Sequence, residues 1–198
     1  MTPAALLWDF GDTLVDERWM RRAPLECPTW DSVWMDVMAA QADAWNIGQI
    51  GADEIFRELA DRSGMTATAV RSHARRCCES IDFNETAWRM ASARLLPQAL
   101  VTVNPDLLTD VVVPAHRLDV VFDVIVTSAA EGTADKSALC NIALQRLAFT
   151  GSRSKALLID NRLDLVEAWK ALGGAGYWFV DDDKLRADLP SLGLVAAP

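Results

Sequence analysis

The feature that most constrains this chain is a short apolar run ending in acid, Ala4–Phe10 (AALLWDF), whose successors follow only after about 80 residues of different texture. A continuous apolar stretch of this length suits a strand buried on both faces, as in a parallel sheet. The later runs are Ala99–Val103, a segment within Val120–Thr127, Lys155–Asp160 (KALLID) and Tyr177–Val180. Between them the pattern predicts a helix near Asp106–Val113, closed by Pro114. It predicts a second over Lys136–Phe149, with Leu139, Ile142, Ala143 and Leu147 on one face. A third spans Leu163–Leu172 and is stopped by Gly173 and Gly174. Repeated β–α units of this size require an α/β fold with a parallel sheet and right-handed crossovers. A short acidic tail follows the last strand.

The stretch between the first two strands reads differently. Trp30–Asn46, Ala52–Ser63 and Ala67–Ile81 have helical length and period, with Val33, Val37, Ala40 and Ala44 striping one face of the first. Asp31 and Asp53 stand where helix starts favour short acids. We therefore assign residues 17–96 to a helical insert and residues 1–16 and 97–198 to the α/β core. At 198 residues the chain is long enough for both. A net charge of −9 argues against a broad nucleic-acid surface. No apolar run approaches the ~20 residues of a membrane span. The first residues, MTPAALLWDF, carry no basic segment ahead of the apolar run, so they read as a strand and the expected location is cytoplasmic. Cys27, Cys77, Cys78 and Cys140 form no CxxC pair and are expected as reduced, structural thiols. With only His73 and His116, a histidine-rich zinc site is not expected.

In open parallel sheets, ligands bind outside the carboxyl ends of the strands. Asp9 closes the first strand, Asp160 closes the fourth, and Asp164 opens the helix after it. Carboxylates gathered there supply the oxygen ligands that Mg²⁺ prefers and leave places for water and substrate. The competing reading is that each acid merely caps a helix.

Read together, these positions resemble the motifs of the haloacid dehalogenase (HAD) superfamily, over nearly the whole chain. Asp9-Phe-Gly-Asp-Thr13 matches the first motif, Thr102 in LVTVN the second, Lys136 in ADKSAL the third, and Asp160 with Asp164 in LLIDNRLDLVEAW the fourth. The resemblance implies a Rossmann-like core with a helical cap inserted after the first motif. It implies that Asp9 is a nucleophile that forms an aspartyl-phosphate, with Mg²⁺ held by Asp9, the backbone carbonyl of Gly11, Asp160 and Asp164. Lys136 would bridge Asp9 and the phosphoryl group, the Thr102 hydroxyl would bond a phosphoryl oxygen, and Thr13 and Asn104 would belong to the substrate pocket, with Asn161 beside the metal. The implied activity is hydrolysis of a small phosphorylated metabolite by a monomer or homodimer.

The chain departs from that pattern in two places that matter. Gly11 stands where such phosphatases place a second Asp as general acid and base, and the loss of such a group typically costs ~10²–10⁴-fold. Asp12 is displaced by one residue and is expected to cap the following turn. Val103-Asn104 follows Thr102 where Asn usually follows directly, so either Thr102 or Val103 could hold the second-motif position. Dehalogenation of a 2-haloacid and a catalytically impaired binding protein are the alternatives these departures leave open. In the insert, Arg18, Arg21 or Trp19 could touch the rest of the substrate. The competing reading is that Trp19, Trp30, Trp34 and Trp45 pack the insert while Arg18, Arg21 and Arg22 form a solvated hinge.

Overall fold

A computed structural model describes residues 2–194, the side chains of Trp19 and Met20 excepted. Five parallel strands, β1 (Ala5–Trp8), β2 (Gln98–Thr102), β3 (Val124–Thr127), β4 (Ala156–Asp160) and β5 (Ala175–Trp178), form one sheet in the order β3-β2-β1-β4-β5. The first strand is thus central, flanked by β2 and by β4. Its apolar residues are buried on both sides, and alternate positions feed two cores. Leu6 and Trp8 join Leu100, Leu157 and Ile159 in one core, which continues into the inserted helices. Leu7 joins Ala99, Val101, Val126 and Leu158 in the other. This is an α/β fold with a parallel sheet covered on both faces, as the run-and-helix alternation predicts.

The insert between β1 and β2 contains α1 (Trp30–Asn46), α2 (Ala52–Ser63), α3 (Ala67–Glu79) and α4 (Glu85–Ser92). The first two have the expected bounds, and the third ends two residues earlier than the expected Ile81. The face of α1 differs from expectation. Trp30, Trp34, Val37 and Trp45 are its buried residues, while Ala40 is exposed. The large rings outweigh the smaller stripe because each buries far more apolar area. Several core side chains hold this insert, Asp106 and Asp182 among them. Asp106 accepts hydrogen bonds from Trp45 Nε1 (2.8 Å) in α1 and from the Ala52 backbone (2.9 Å) at the start of α2. Asp182 accepts from the backbones of Thr86 (3.0 Å) and Ala87 (3.1 Å), supplying the cap that α4 lacks from its own Asn84.

After β2 the chain winds through a π turn at Leu108–Val112 into α5 (Val113–His116), then α6 (Leu118–Val121). Pro114 therefore does not close a helix. The helical chain continues from the π turn through it to His116. After β3 come α7 (Ser128–Glu131) and α8 (Lys136–Arg146), the latter capped by Asp135, whose carboxylate accepts from Ser137 (2.9 Å) and Ala138 (3.1 Å). Then α9 (Leu163–Ala171) follows β4, and α10 (Asp182–Asp188) forms within the acidic tail. The last strand starts two residues before Tyr177, because Ala175 and Gly176 are recruited into it. Gly176 is required there: a Cβ would come within 2.7 Å of Val166 Cγ1 in α9. Among the described residues no helix is long and apolar enough to cross a membrane, and the four cysteines are buried and unpaired.

Gln98 joins core and insert from inside. Fully buried at the start of β2, it accepts from Trp8 Nε1 (3.1 Å) and donates to the carbonyls of Ala91 (2.6 Å) and Val121 (2.9 Å). Gln98→Ala leaves the buried Trp8 Nε1 unpaired and removes a bond from the carbonyls of Ala91 and Val121. We expect a loss of about 2–4 kcal/mol in urea unfolding at unchanged m-value. A loss below about 0.5 kcal/mol would show that these bonds carry no weight.

Candidate active site

The strand order brings chemistry to one edge of the sheet. Asp9 follows β1, with its backbone N–H bonded to the Ile159 carbonyl (2.9 Å), and Asp160 ends the neighbouring β4. Lys136 opens α8, and its side chain reaches back between the two acids. Its Nζ donates to Asp9 Oδ1 at 2.5 Å and forms an ion pair with Asp160 Oδ2 at 2.9 Å. All three residues are buried. Burial disfavours the charged form of Asp9 and Asp160 repels it, while Lys136 opposes both, and the net result is a carboxyl raised above its ordinary range. Burial alone would lower Lys136, but the attraction of Asp9 and Asp160 outweighs it and holds the ammonium protonated.

The remaining expected residues are placed as follows. Thr102 is the last residue of β2, buried, and its hydroxyl accepts from Asn104 Nδ2 (2.8 Å). Val103 lies only partly buried and packs against the second core. Thr13 is fully buried, with its hydroxyl accepting from the Asn161 N–H (3.0 Å), so it ties the first loop to the loop after β4. Asp12 adopts a left-handed backbone (φ 51°), and its carboxylate accepts from the Glu17 N–H (3.0 Å). It caps the following turn, as expected, and points no acid at the cluster. Arg18 and Asp16 pair with one another at the surface. Arg21 pairs with Asp31 (2.6 Å). The side chain of Trp19 lies outside the described residues.

Asp164 does not join Asp9 and Asp160. It is exposed at the start of α9 and paired with Arg162 (2.6 Å), which holds its carboxyl below the usual range. Among the described residues no three acidic, histidine or cysteine side chains gather in an arrangement that could hold a metal ion. Asp9 and Asp160 nevertheless suit Mg²⁺ as a pair. Asp160 Oδ2 is buried and, among the described residues, has no partner besides its 2.9 Å ion pair with Lys136. Two carboxylates against one ammonium leave a net negative charge of hard oxygen donors, and Mg²⁺ commonly uses only one or two protein carboxylates beside water and phosphate oxygens.

One residue at this edge was not singled out from the sequence. Glu17 has no hydrogen bond or ion pair from its side chain among the described residues, and its carboxyl fills the space that a side chain at position 11 would take. A Cβ on Gly11 would lie 2.5 Å from Glu17 Cδ. Glu17 also lines a cavity of about 240 Å³ together with Trp34, Trp45, Asn104 and Leu108. Its lining includes Asn104, the partner of Thr102, but none of Asp9, Lys136 and Asp160. A larger cleft of about 540 Å³, beside Met90, Leu95 and Leu189, contains none of the clustered residues.

No family model and no curated protein sequence matches the chain. Solved structures do. An L-2-haloacid dehalogenase from Xanthobacter autotrophicus, with chloropropionic acid covalently bound, superposes with a TM-score of 0.64 at 14% identity, covering 100% of this chain and 85% of that one. A HAD family enzyme from Bacteroides thetaiotaomicron, in complex with magnesium and inorganic phosphate, superposes with a TM-score of 0.65 at 10% identity, covering 90% and 95%. The chain has the HAD-like fold.

Replacing Lys136 tests the cluster. Lys136→Met strands two buried carboxylates, and we expect a loss of about 3–5 kcal/mol at pH 8. Because Asp9 already sits above its unfolded value, the native variant binds more protons than its unfolded chain. Its deficit against the parent therefore shrinks as pH falls toward 5. Urea unfolding at both pH values checks this; an equal deficit at the two would contradict it.

Proposed function

We propose that this chain is a Mg²⁺-dependent phosphoric monoester hydrolase that works through an aspartyl-phosphate on Asp9. The observation that carries this reading is the buried Lys136 ammonium held between Asp9 and Asp160 at the carboxyl edge of the central strands. A nucleophile there needs an oxygen that is fixed in direction and kept from repelling an anionic substrate. Lys136 supplies both, binding one carboxylate oxygen of Asp9 and adding positive charge beside it. Asp9 attacks phosphorus, and the leaving oxygen departs on the opposite side. The Thr102 hydroxyl, fixed by Asn104, donates to a phosphoryl oxygen. Water then cleaves the aspartyl-phosphate and returns Asp9.

Phosphoryl transfer depends mainly on positioning and on neutralising charge around phosphorus. Mg²⁺ bound by Asp9 and Asp160 would supply the neutralising charge that one ammonium leaves incomplete. The inserted helices act as a cap, and the 240 Å³ cavity beneath α1 receives the leaving group of a small phosphorylated metabolite. The dehalogenase among the structural neighbours offers a second chemistry, attack of Asp9 on carbon with release of halide. Here the extra buried carboxylate of Asp160 disfavours it, since a 2-haloacid brings its own negative charge and no neutralising metal.

Phosphate release from 4-nitrophenyl phosphate should require Mg²⁺, be abolished by chelation, and fall by at least about 10³-fold in Asp9→Asn. Halide release from 2-chloropropionate should be absent. Halide release without metal, or phosphate release insensitive to Asp9→Asn, would overturn the assignment.

A further inference from the structure

Breaking a bond from phosphorus to an alkoxide leaves an oxygen that is a strong base, so a group near the leaving side must deliver a proton. The acids at this edge of the sheet are nearly all committed. Asp9 makes the bond to phosphorus in the reading above. Asp160 is buried, with Oδ1 accepting from the Arg162 N–H (2.8 Å) and Oδ2 facing Lys136. Asp12 accepts the Glu17 N–H, Asp164 is paired with Arg162, and Asp16 is held ionised by Arg18, with its carboxyl lowered to about 2. The hydroxyls of Thr13 and Thr102 each accept a bond from a neighbouring N–H.

Glu17 is the exception. Its carboxyl has no hydrogen bond or ion pair among the described residues, and it lies over Gly11, two residues from the nucleophile, in space that no other side chain fills. It also lines the cavity assigned to the leaving group.

Resting on the hydrolase reading above, we propose that Glu17 is the catalytic acid and base of this site, brought from the turn after the first loop into the space over Gly11. As Asp9 Oδ bonds to phosphorus, the P–O bond to the leaving group breaks, its electron pair stays on the leaving oxygen, and Glu17 gives that oxygen a proton. The Glu17 carboxylate then takes a proton from water as the water oxygen bonds to phosphorus and the Asp9–phosphorus bond breaks. Inorganic phosphate leaves, Asp9 is again a carboxylate and Glu17 is again protonated.

More than a third of Glu17 stays open to solvent. The sequence feature behind this arrangement is Gly11 itself. A side chain at position 11 would collide with the Glu17 carboxyl, so the absent acid and the present one occupy the same space.

The test compares two esters, 4-nitrophenyl phosphate with a good leaving group and n-propyl phosphate with a poor one. Glu17→Gln should lower kcat/KM for the propyl ester by about 10²-fold or more and for the nitrophenyl ester by less than about 5-fold. It should leave thermal unfolding unchanged, because the Glu17 side chain makes no bond that folding needs. Returning a carboxyl to the same space from the other side provides the rescue. Glu17→Ala should lose propyl ester turnover, and adding Gly11→Asp should restore at least about 10-fold of it. Equal losses on both esters, no loss on either, or no rescue would overturn the role of Glu17 while leaving the Asp9 chemistry standing. A parent enzyme that cleaves the nitrophenyl ester alone would also overturn it. Turnover of neither ester would instead sink the hydrolase reading, and this assignment with it.

Discussion

An ammonium held between two buried carboxylates is the constraint on which the rest of this structure depends. Lys136 meets Asp9 and Asp160 from different elements, and each of the three would be costly to bury alone. The arrangement fixes the order of the sheet as much as it results from it. Asp9 and Asp160 can share a cation only because β4 lies directly beside β1, and Lys136 can reach them only because α8 begins at the same edge. A cluster with one negative charge left over is also poised to accept more positive charge, and the proposed phosphoryl transfer builds on that.

The inserted helices are joined to the core. Asp106 binds α1 and α2, Asp182 caps α4, and Gln98 ties the end of α4 to the central strands. The insert is therefore held by directional bonds to the core as well as by a shared apolar core. Two of its tryptophans, Trp34 and Trp45, line the cavity next to Asn104. In the proposed hydrolase reading, apolar walls there suit a small leaving group.

Much of this was legible in the sequence, for identifiable reasons. Asp9 and Asp160 each end a continuous apolar run, and such runs leave a parallel sheet little choice of direction, so their meeting could be foreseen. Lys136 was legible because lysine is scarce in this chain and stands at a clear helix start. Asp164 was misplaced because motif spacing does not show which way a side chain turns, and Arg162, two residues earlier, takes its carboxylate outward. Arg18 was misplaced in the same way, by pairing with Asp16. The start of β5 was missed because Gly173 and Gly174 read as the stop of the preceding helix and nothing in the sequence marks Gly176 as strand, whereas close packing of Val166 makes glycine necessary there. Glu17 was missed because the signal for it is an empty place: only the fold shows what fills the space above Gly11.

The central claim is that Asp9 and Asp160 share a cation beside the reacting phosphorus. A crystal structure of the protein with Mg²⁺ and beryllofluoride measures it most directly. The account predicts beryllium bonded to Asp9, Mg²⁺ in contact with both Asp9 and Asp160, and Lys136 against the fluorides. Beryllofluoride absent from Asp9, or carboxylates at positions 9 and 160 turned apart with the metal bound elsewhere, would contradict it.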